Sequence, residues 1–343
     1  MSQHLIDPIA TFCATYARIR PAHRGLLILV STAITTVYGK PLNRASLTHR
    51  RGSIFEAVVR LGRILETSVL TEAQLEDAKT LAENCNLYES LDYLHPTTDM
   101  ASRGKHLHFY DDEKLTGFLT FPFNGIPEPE AFVIVDPQRR RKGIGRALMD
   151  AAKESCKRRG IRQFLLVSEV KSVSGQAFAE AVGGKCKHTE YRMRLQGKPS
   201  KPTENAISLR QADEKDLSSL AHIMAESFHN PIENHFQRLK RNIGSPTYRF
   251  YIASVAENQI GCIGVVAENR RAYVIAFGVL TEHRGRGYGR QILTQTVNGL
   301  LSENWEDILI EVEANNQAAL SLYKSCAFTE TTSYNYYSIK TDN

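Results

Sequence analysis

The residues best suited to chemistry form an eleven-residue stretch near the C-terminus, His283-Arg284-Gly285-Arg286-Gly287-Tyr288-Gly289-Arg290-Gln291-Ile292-Leu293. It follows an apolar run, Tyr273 to Leu280, that reads as a strand, and it opens an amphipathic segment that reads as a helix. Glycines and arginines at a strand-to-helix turn expose backbone N–H groups and the positive helix end, so the chemistry on offer is phosphate binding. A shorter version stands earlier, Gln138-Arg139-Arg140-Arg141-Lys142-Gly143-Ile144-Gly145-Arg146-Ala147-Leu148. Gly143 and Gly287, like Gly145 and Gly289, are 144 positions apart. The chain reads as a tandem repeat.

The elements that must hold these turns recur in the same order in both halves. In the first, Thr71-Glu72-Ala73-Gln74 looks like a capped helix start, with Leu75, Ala78, Leu81 and Ala82 at helical spacing. His106 to Tyr110 and Leu115 to Phe121 are strand-like around the turn Asp111 to Lys114, a hairpin signal. Ala131 to Val135 is the strand before the first basic turn. A helix to about Gly160, a strand Phe164 to Val167, a helix Gln176 to Val182 and a strand Tyr191 to Leu195 follow. Gln196 to Asn205 is polar, with two prolines and a glycine, and reads as a linker. Strand Ile207 to Leu209, a helix from Asp216, a hairpin Arg249 to Val266, strand Tyr273 to Leu280, strand Ile308 to Val312, helix Gln317 to Ser325 and strand Tyr334 to Ile339 repeat the plan. The expected fold class is α/β (α+β), each half a mixed, mainly antiparallel sheet flanked by helices. The expected domains are a basic extension over 1–58 of no assigned role, a degenerate copy over 59–195, the linker over 196–205 and a catalytic copy over 206–343.

Composition narrows the function classes. A chain of 343 residues, 42% apolar and 23% charged, is globular rather than disordered. Its formal charge of +6 sits at the N-terminus, where residues 1–65 carry nine Lys or Arg against Asp7 and Glu56. The rest is near neutral, so nucleic-acid binding is not expected, and the run Arg139 to Lys142 reads as a solvated turn or a phosphate contact. Gly25 to Tyr38 is apolar for 14 residues, too short for a typical membrane span. The extension is Ser/Thr-rich and acid-poor, as organellar transit peptides are; a packed or unstructured extension is the plainer reading. The six cysteines lack metal spacing, which points to reduced, mostly buried thiols, a cytoplasmic setting and no metal.

Arg284-x-x-Gly287-x-Gly289 after an apolar strand resembles the pyrophosphate loop of the GNAT acetyltransferase superfamily. Asn316-Gln317-Ala318-Ala319-Leu320-Ser321-Leu322-Tyr323, followed by Ala327-Phe328, is similar to that superfamily's second signature, with Ala327 where glycine is usual. Two such copies resemble the tandem GNAT proteins, organised as in mycothiol synthase. The second copy also resembles the ribosomal-protein alanine N-acetyltransferases. The resemblance covers the chain from about residue 60 and is better in the second copy.

The resemblance implies acetyl-CoA as co-substrate, with no metal, and transfer of its acetyl group to a primary amine on a small molecule or peptide. It implies Tyr323 as the general acid that protonates the departing thiolate and Glu311 as candidate base, with Glu313 competing. Cofactor contacts are expected from the backbone of Val279, from Arg284, Gly285, Arg286, Gly287, Tyr288, Gly289 and Arg290, and from Asn316. The first copy has Val135, Arg140, Arg141, Lys142, Gly143, Ile144, Gly145 and Arg146 at the matching turn, but Ser172, Ala179 and Val167 where the second has Asn316, Tyr323 and Glu311. It is therefore expected to be non-catalytic, with or without bound CoA. The alternative reading for the chain is an acyl-CoA sensor without turnover, since a phosphate loop without an acid is the state of the first copy. Acceptor contacts are sought at His229, Glu233, His235 and Arg238 and at Tyr334, Tyr336 and Tyr337.

Overall fold

Thr71 starts the first helix for a chemical reason. Its hydroxyl accepts the Gln74 N–H while the Gln74 side chain accepts the Thr71 N–H, so two orphan donors are satisfied at once. The computed structural model describes residues 63–122, 128–200, 206–268 and 270–342. The extension expected over 1–58 and the second part of the linker lie outside the described residues.

The first half runs β1 (Arg63–Thr67), α1 (Glu72–Glu89), α2 (Thr98–Ser102), β2 (Lys105–Asp111), β3 (Lys114–Phe121), β4 (Glu130–Val135), α3 (Ile144–Lys157), β5 (Gln163–Glu169), α4 (Val173–Ala181) and β6 (Lys185–Leu195). The second runs β7 (Ser208–Gln211), α5 (Leu217–Phe228), α6 (Ile232–Asn242), β8 (Tyr248–Val255), β9 (Asn258–Glu268), β10 (Arg271–Val279), α7 (Tyr288–Ser302), β11 (Asp307–Glu313), α8 (Gln317–Ser325) and β12 (Phe328–Lys340). The sequence pattern does not announce β1, α2 or α6.

The twelve strands of the described residues form one sheet in the order β1-β2-β3-β4-β5-β12-β6-β11-β10-β9-β8-β7. Within it β4–β5 and β10–β11 are parallel and the other pairs antiparallel, the mixed α/β plan expected. The order contains an exchange. β6, which ends the first half, lies between β12 and β11, while β12, which ends the second, lies between β5 and β6. Each half thus completes its partner's sheet.

Apolar side chains fix the two faces. In the second half Ile292, Leu293, Val297 and Leu300 of α7 pack with Val274, Ile308, Ile310 and Tyr323. Leu220, Ala221, Ile223 and Met224 of α5 cover the other face against Phe250, Ile252 and Cys262. Each such Leu or Ile, fully buried, stabilises by about 1.5–3 kcal/mol. Among the described residues no helix is long and apolar enough to cross a membrane. Cys85, Cys156, Cys262 and Cys326 are free and buried, and Cys186 is free and exposed.

Candidate active site

β10 and β11 are paired only from Arg271–Asp307 to Val274–Ile310. Beyond that point β10 continues along β9 through a bulge between Ile275 and Gly278, whereas β11 pairs Leu309 to Glu313 with Arg194 to Glu190 of β6. The two strands part, and a wedge opens between them. Ala276, within the bulge, is held at a φ of 49°, and its carbonyl accepts the Cys262 thiol at 3.3 Å. A non-glycine residue keeps that left-handed conformation only where its surroundings impose it.

The glycine turn closes one end of the wedge. The Arg284 Nε donates to the Val279 carbonyl at 2.8 Å, and the Arg140 Nε repeats the contact with Val135 at 3.2 Å. Gly287 and Gly143 are the N-caps of α7 and α3, both left-handed (φ 78° and 85°), and neither helix has a side-chain cap. α5 and α6 also lack one, whereas in α8 Asn316 Oδ1 accepts from the Ala319 N–H at 3.1 Å and in α4 Ser172 Oγ accepts from the Gly175 N–H at 3.0 Å. An uncapped first turn leaves backbone donors and the positive dipole end for a ligand. A Cβ at Gly289 would lie 3.2 Å from Leu322 Cδ2 on α8, closer than ordinary packing. With exposed Arg284, Arg286 and Arg290 around it, the α7 turn fits a pyrophosphate. Asn316 is the N-cap of α8.

Tyr323 and Glu311 lie on opposite faces of the sheet. The Tyr323 ring on α8 packs 6.1 Å from that of Phe277, which sits in the β10 bulge, and 6.4 Å from that of Phe328. Burial pushes its hydroxyl well above the ordinary tyrosine range, which keeps the proton on oxygen. Glu311 is the first residue of β11 past its last pair with β10. Its neighbours Ile310 and Val312 point into the α7 core, so Glu311 faces the α5–α6 side. There it accepts the Arg192 Nε at 2.9 Å. Glu313 shares that face, opposite Glu190 in register.

The exchanged strand brings in residues that sequence reasoning missed. Glu190 of β6 accepts the Tyr336 hydroxyl at 3.2 Å and lies 3.3 Å from His188 Nε2, whose ring stacks on Tyr336 at 4.5 Å. Burial, then the charges of Glu311 and Glu130, push the Glu190 carboxyl up to about 8. Burial, then Glu311, push Glu130 up to about 7, against the influence of Arg238 on α6. The alternation His188-x-Glu190-x-Arg192-x-Arg194 was the available signal, a polar face on a strand. Of the tyrosines expected near an acceptor, Tyr334 and Tyr336 face this side, while Tyr337 packs on the opposite face with Leu148 and Ile339. Glu233 bonds Gln237 at 2.7 Å, and His229 ends α5 in the left-handed conformation. His235 has its ring 6.1 Å from that of Phe228.

The first half contains a cleft beside its basic turn. A cavity of about 440 Å³ runs from the turn Arg140 to Arg146 between Val133–Val135 and Leu166–Ser168, bounded by Glu89 and Phe178. Glu89 reaches into it, bonding Arg140 Nη1 at 2.8 Å and the Ser174 hydroxyl at 2.6 Å. Volume and chemistry disagree here: the cavity belongs to the half whose matching positions are Val167 and Ala179. Glu311 and Tyr323 are in the second half.

The sequence model of the acetyltransferase (GNAT) family matches residues 71–183 and again 217–328. A mycothiol acetyltransferase of Clavibacter michiganensis is 26% identical over 216 residues, 59% of this chain and 69% of that protein. Among solved structures, a GCN5-related N-acetyltransferase from Sphaerobacter thermophilus superposes with a TM-score of 0.64 at 14% identity, over 81% of this chain and 96% of that one. A tandem GNAT protein from the clavulanic acid biosynthesis pathway gives 0.62 at 15% identity, over 82% and 99%.

Proposed function

The chain belongs to the acetyltransferase (GNAT) family, and from that membership we propose that its second half moves an acetyl group from acetyl-CoA to a primary amine on a small molecule or peptide. The observation that carries this reading is the placing of Glu311 and Tyr323 on either side of the wedge that opens beside the uncapped α7 turn. Bound acetyl-CoA supplies the thioester. Backbone N–H groups of the α7 turn, with Arg284, Arg286 and Arg290, hold its phosphates, and the backbone at Val279 positions its acetyl carbonyl. Glu311 takes the proton from the attacking amine as the N–C bond forms. Tyr323 gives its hydroxyl proton to the sulfur as the C–S bond breaks, and then regains one from solvent. Asn316 keeps the start of α8, and with it Tyr323, in register.

The first half is assigned cofactor binding without turnover. Its cavity and its uncapped α3 turn favour the binding, and Val167 and Ala179 can neither take nor give a proton.

Thiol release from acetyl-CoA tests the reading, measured over peptide N-termini, polyamines, amino acids and aminoglycosides. With the acceptor found, Tyr323→Phe is expected to lower kcat by about 100-fold or more while acetyl-CoA affinity is kept. Undiminished turnover in that variant removes Tyr323 from its role.

A further inference from the structure

Arg192 is encoded in the first half and works in the second. It sits on β6, opposite Glu311 in register, and its side chain is 11% exposed. Its Nε donates to Glu311 Oε1 at 2.9 Å, while Nη1 donates to the Asp92 carbonyl at 3.1 Å and to Asp92 Oδ2 at 3.3 Å. The guanidinium also lies over the Tyr334 ring, 4.6 Å from its centre, with the Tyr273 ring at 5.8 Å. Burial works against its charge, but Glu311, Tyr334, Tyr273 and Asp92 outweigh it and hold the cation.

Asp92 is in turn fixed from several strands. Its N–H donates to Glu169 of β5 at 2.8 Å, and its carbonyl accepts the Tyr334 hydroxyl of β12 at 2.6 Å. Its carboxylate faces Arg271 of β10 at 3.7 Å and bonds His95. Burial opposes its charge, but the His95 hydrogen bond and the charges of Arg192, His95 and Arg271 overcome that and hold the carboxyl at about 2. One end of the guanidinium fork is therefore anchored to a point that the sheet itself determines. A lysine cannot reach two acceptors in that fixed geometry.

We propose that Arg192 is the positioning residue for Glu311: it spans from Asp92 to the Glu311 carboxylate and fixes where that oxygen stands at the wedge. Glu130, Glu190 and Glu313 lie on the same face, and their repulsion would otherwise drive the Glu311 side chain outward to solvent. The first half thus takes part in the reaction by lending β6, although it carries Val167 and Ala179 where the second half has Glu311 and Tyr323. This rests on Glu311 as the base, and the test separates the two claims.

The test is a double-mutant cycle on the full chain, read as kcat and KM for the amine, with thermal melting as the folding control. Arg192→Gln is expected to lower kcat by about 100-fold, the scale of a base displaced by roughly 1 Å, with KM and acetyl-CoA affinity within about 2-fold. Arg192→Lys should recover part of the loss. Asp92→Asn, which loosens the anchor and keeps the arginine, should lower kcat by about 10-fold. Because Arg192 acts through Glu311, adding Arg192→Gln to Glu311→Gln should cost nothing further. Wild-type kcat in Arg192→Gln, or losses that multiply in the double variant, overturns the positioning role and leaves the acyltransferase reading standing. Full rate in Glu311→Gln overturns the base assignment, and the positioning role falls with it. Should Arg192→Gln fail to fold, Arg192→Lys and Asp92→Asn decide: wild-type kcat in both overturns the proposal, and a selective loss of kcat in both upholds it.

Discussion

Glu190 is a carboxyl that the fold penalises for carrying charge. Burial leads, the charges of Glu311 and Glu130 add to it, and the group is pushed up to about 8 from an ordinary value of 4.5. With Glu130 pushed the same way, the carboxyls titrate as a cluster rather than singly. The folded state binds the proton more tightly than the unfolded chain, so the contribution to stability is full below 4.5 and is lost as pH rises through about 8. Glu190→Gln keeps an acceptor for the Tyr336 hydroxyl and cannot ionise. Its melting temperature should exceed that of the wild type by several degrees at about pH 9 and by little at about pH 5. An equal change at both values would mean that shape, not charge, is what Glu190 supplies. The residue scale is also where sequence reading divides. Tyr323 and Glu311 could be singled out because they keep fixed spacing from a loop on the same half. Glu190 and Arg192 could not, because their meaning depends on a neighbour more than a hundred positions away, and only the pairing Glu311–Arg192 reveals it.

Helix starts carry the cofactor argument. Four of them differ in a way that a local rule explains: Thr71, Ser172 and Asn316 cap their helices with side-chain oxygens, whereas Gly287 presents none. Gly287 has a φ of 78° and nothing within 4 Å of where a Cβ would sit. Gly287→Ala therefore meets no clash, and its whole effect is the cost of the left-handed backbone, about 1 kcal/mol. Calorimetry should show acetyl-CoA binding to the second half weakened by about 5-fold or more as the first turn relaxes from this geometry. Binding at wild-type strength would show that the left-handed turn is not what presents the donors. Such elements are legible because glycine and capping residues act locally. The start of β12 is less so: Thr329 to Ser333 lacks an apolar alternation, and the strand is held there by β6 rather than by its own pattern.

At the scale of the whole molecule the repeat is legible and the exchange is not. The 144-residue interval pairs Glu190 with Tyr334, and these two residues also face each other in the β6–β12 register. The pseudo-twofold relation between the halves thus passes through the sheet at that pair. A strand's side-chain pattern records that both of its faces are covered, but not which strand lies beside it. Dividing the chain at its linker therefore cuts through the sheet instead of between domains. Residues 206–343 alone keep β7 to β12 but lose β5 and β6, which are the pairing partners of β12, and β6, which closes β11. Expressed alone, this half is expected to aggregate or to pair with a second copy of itself through β12. In such a pair Tyr334 and Tyr336 would occupy the places of Glu190 and Arg192, so Glu311 would have no guanidinium. The pair would bind acetyl-CoA and turn over at least about 100-fold more slowly than the full chain. Co-expression with residues 63–200 should restore one heterodimer with the activity of the intact protein. A monomeric 206–343 fragment that melts cooperatively and acetylates at the full rate would refute the shared site, because everything it needed would then lie within its own half.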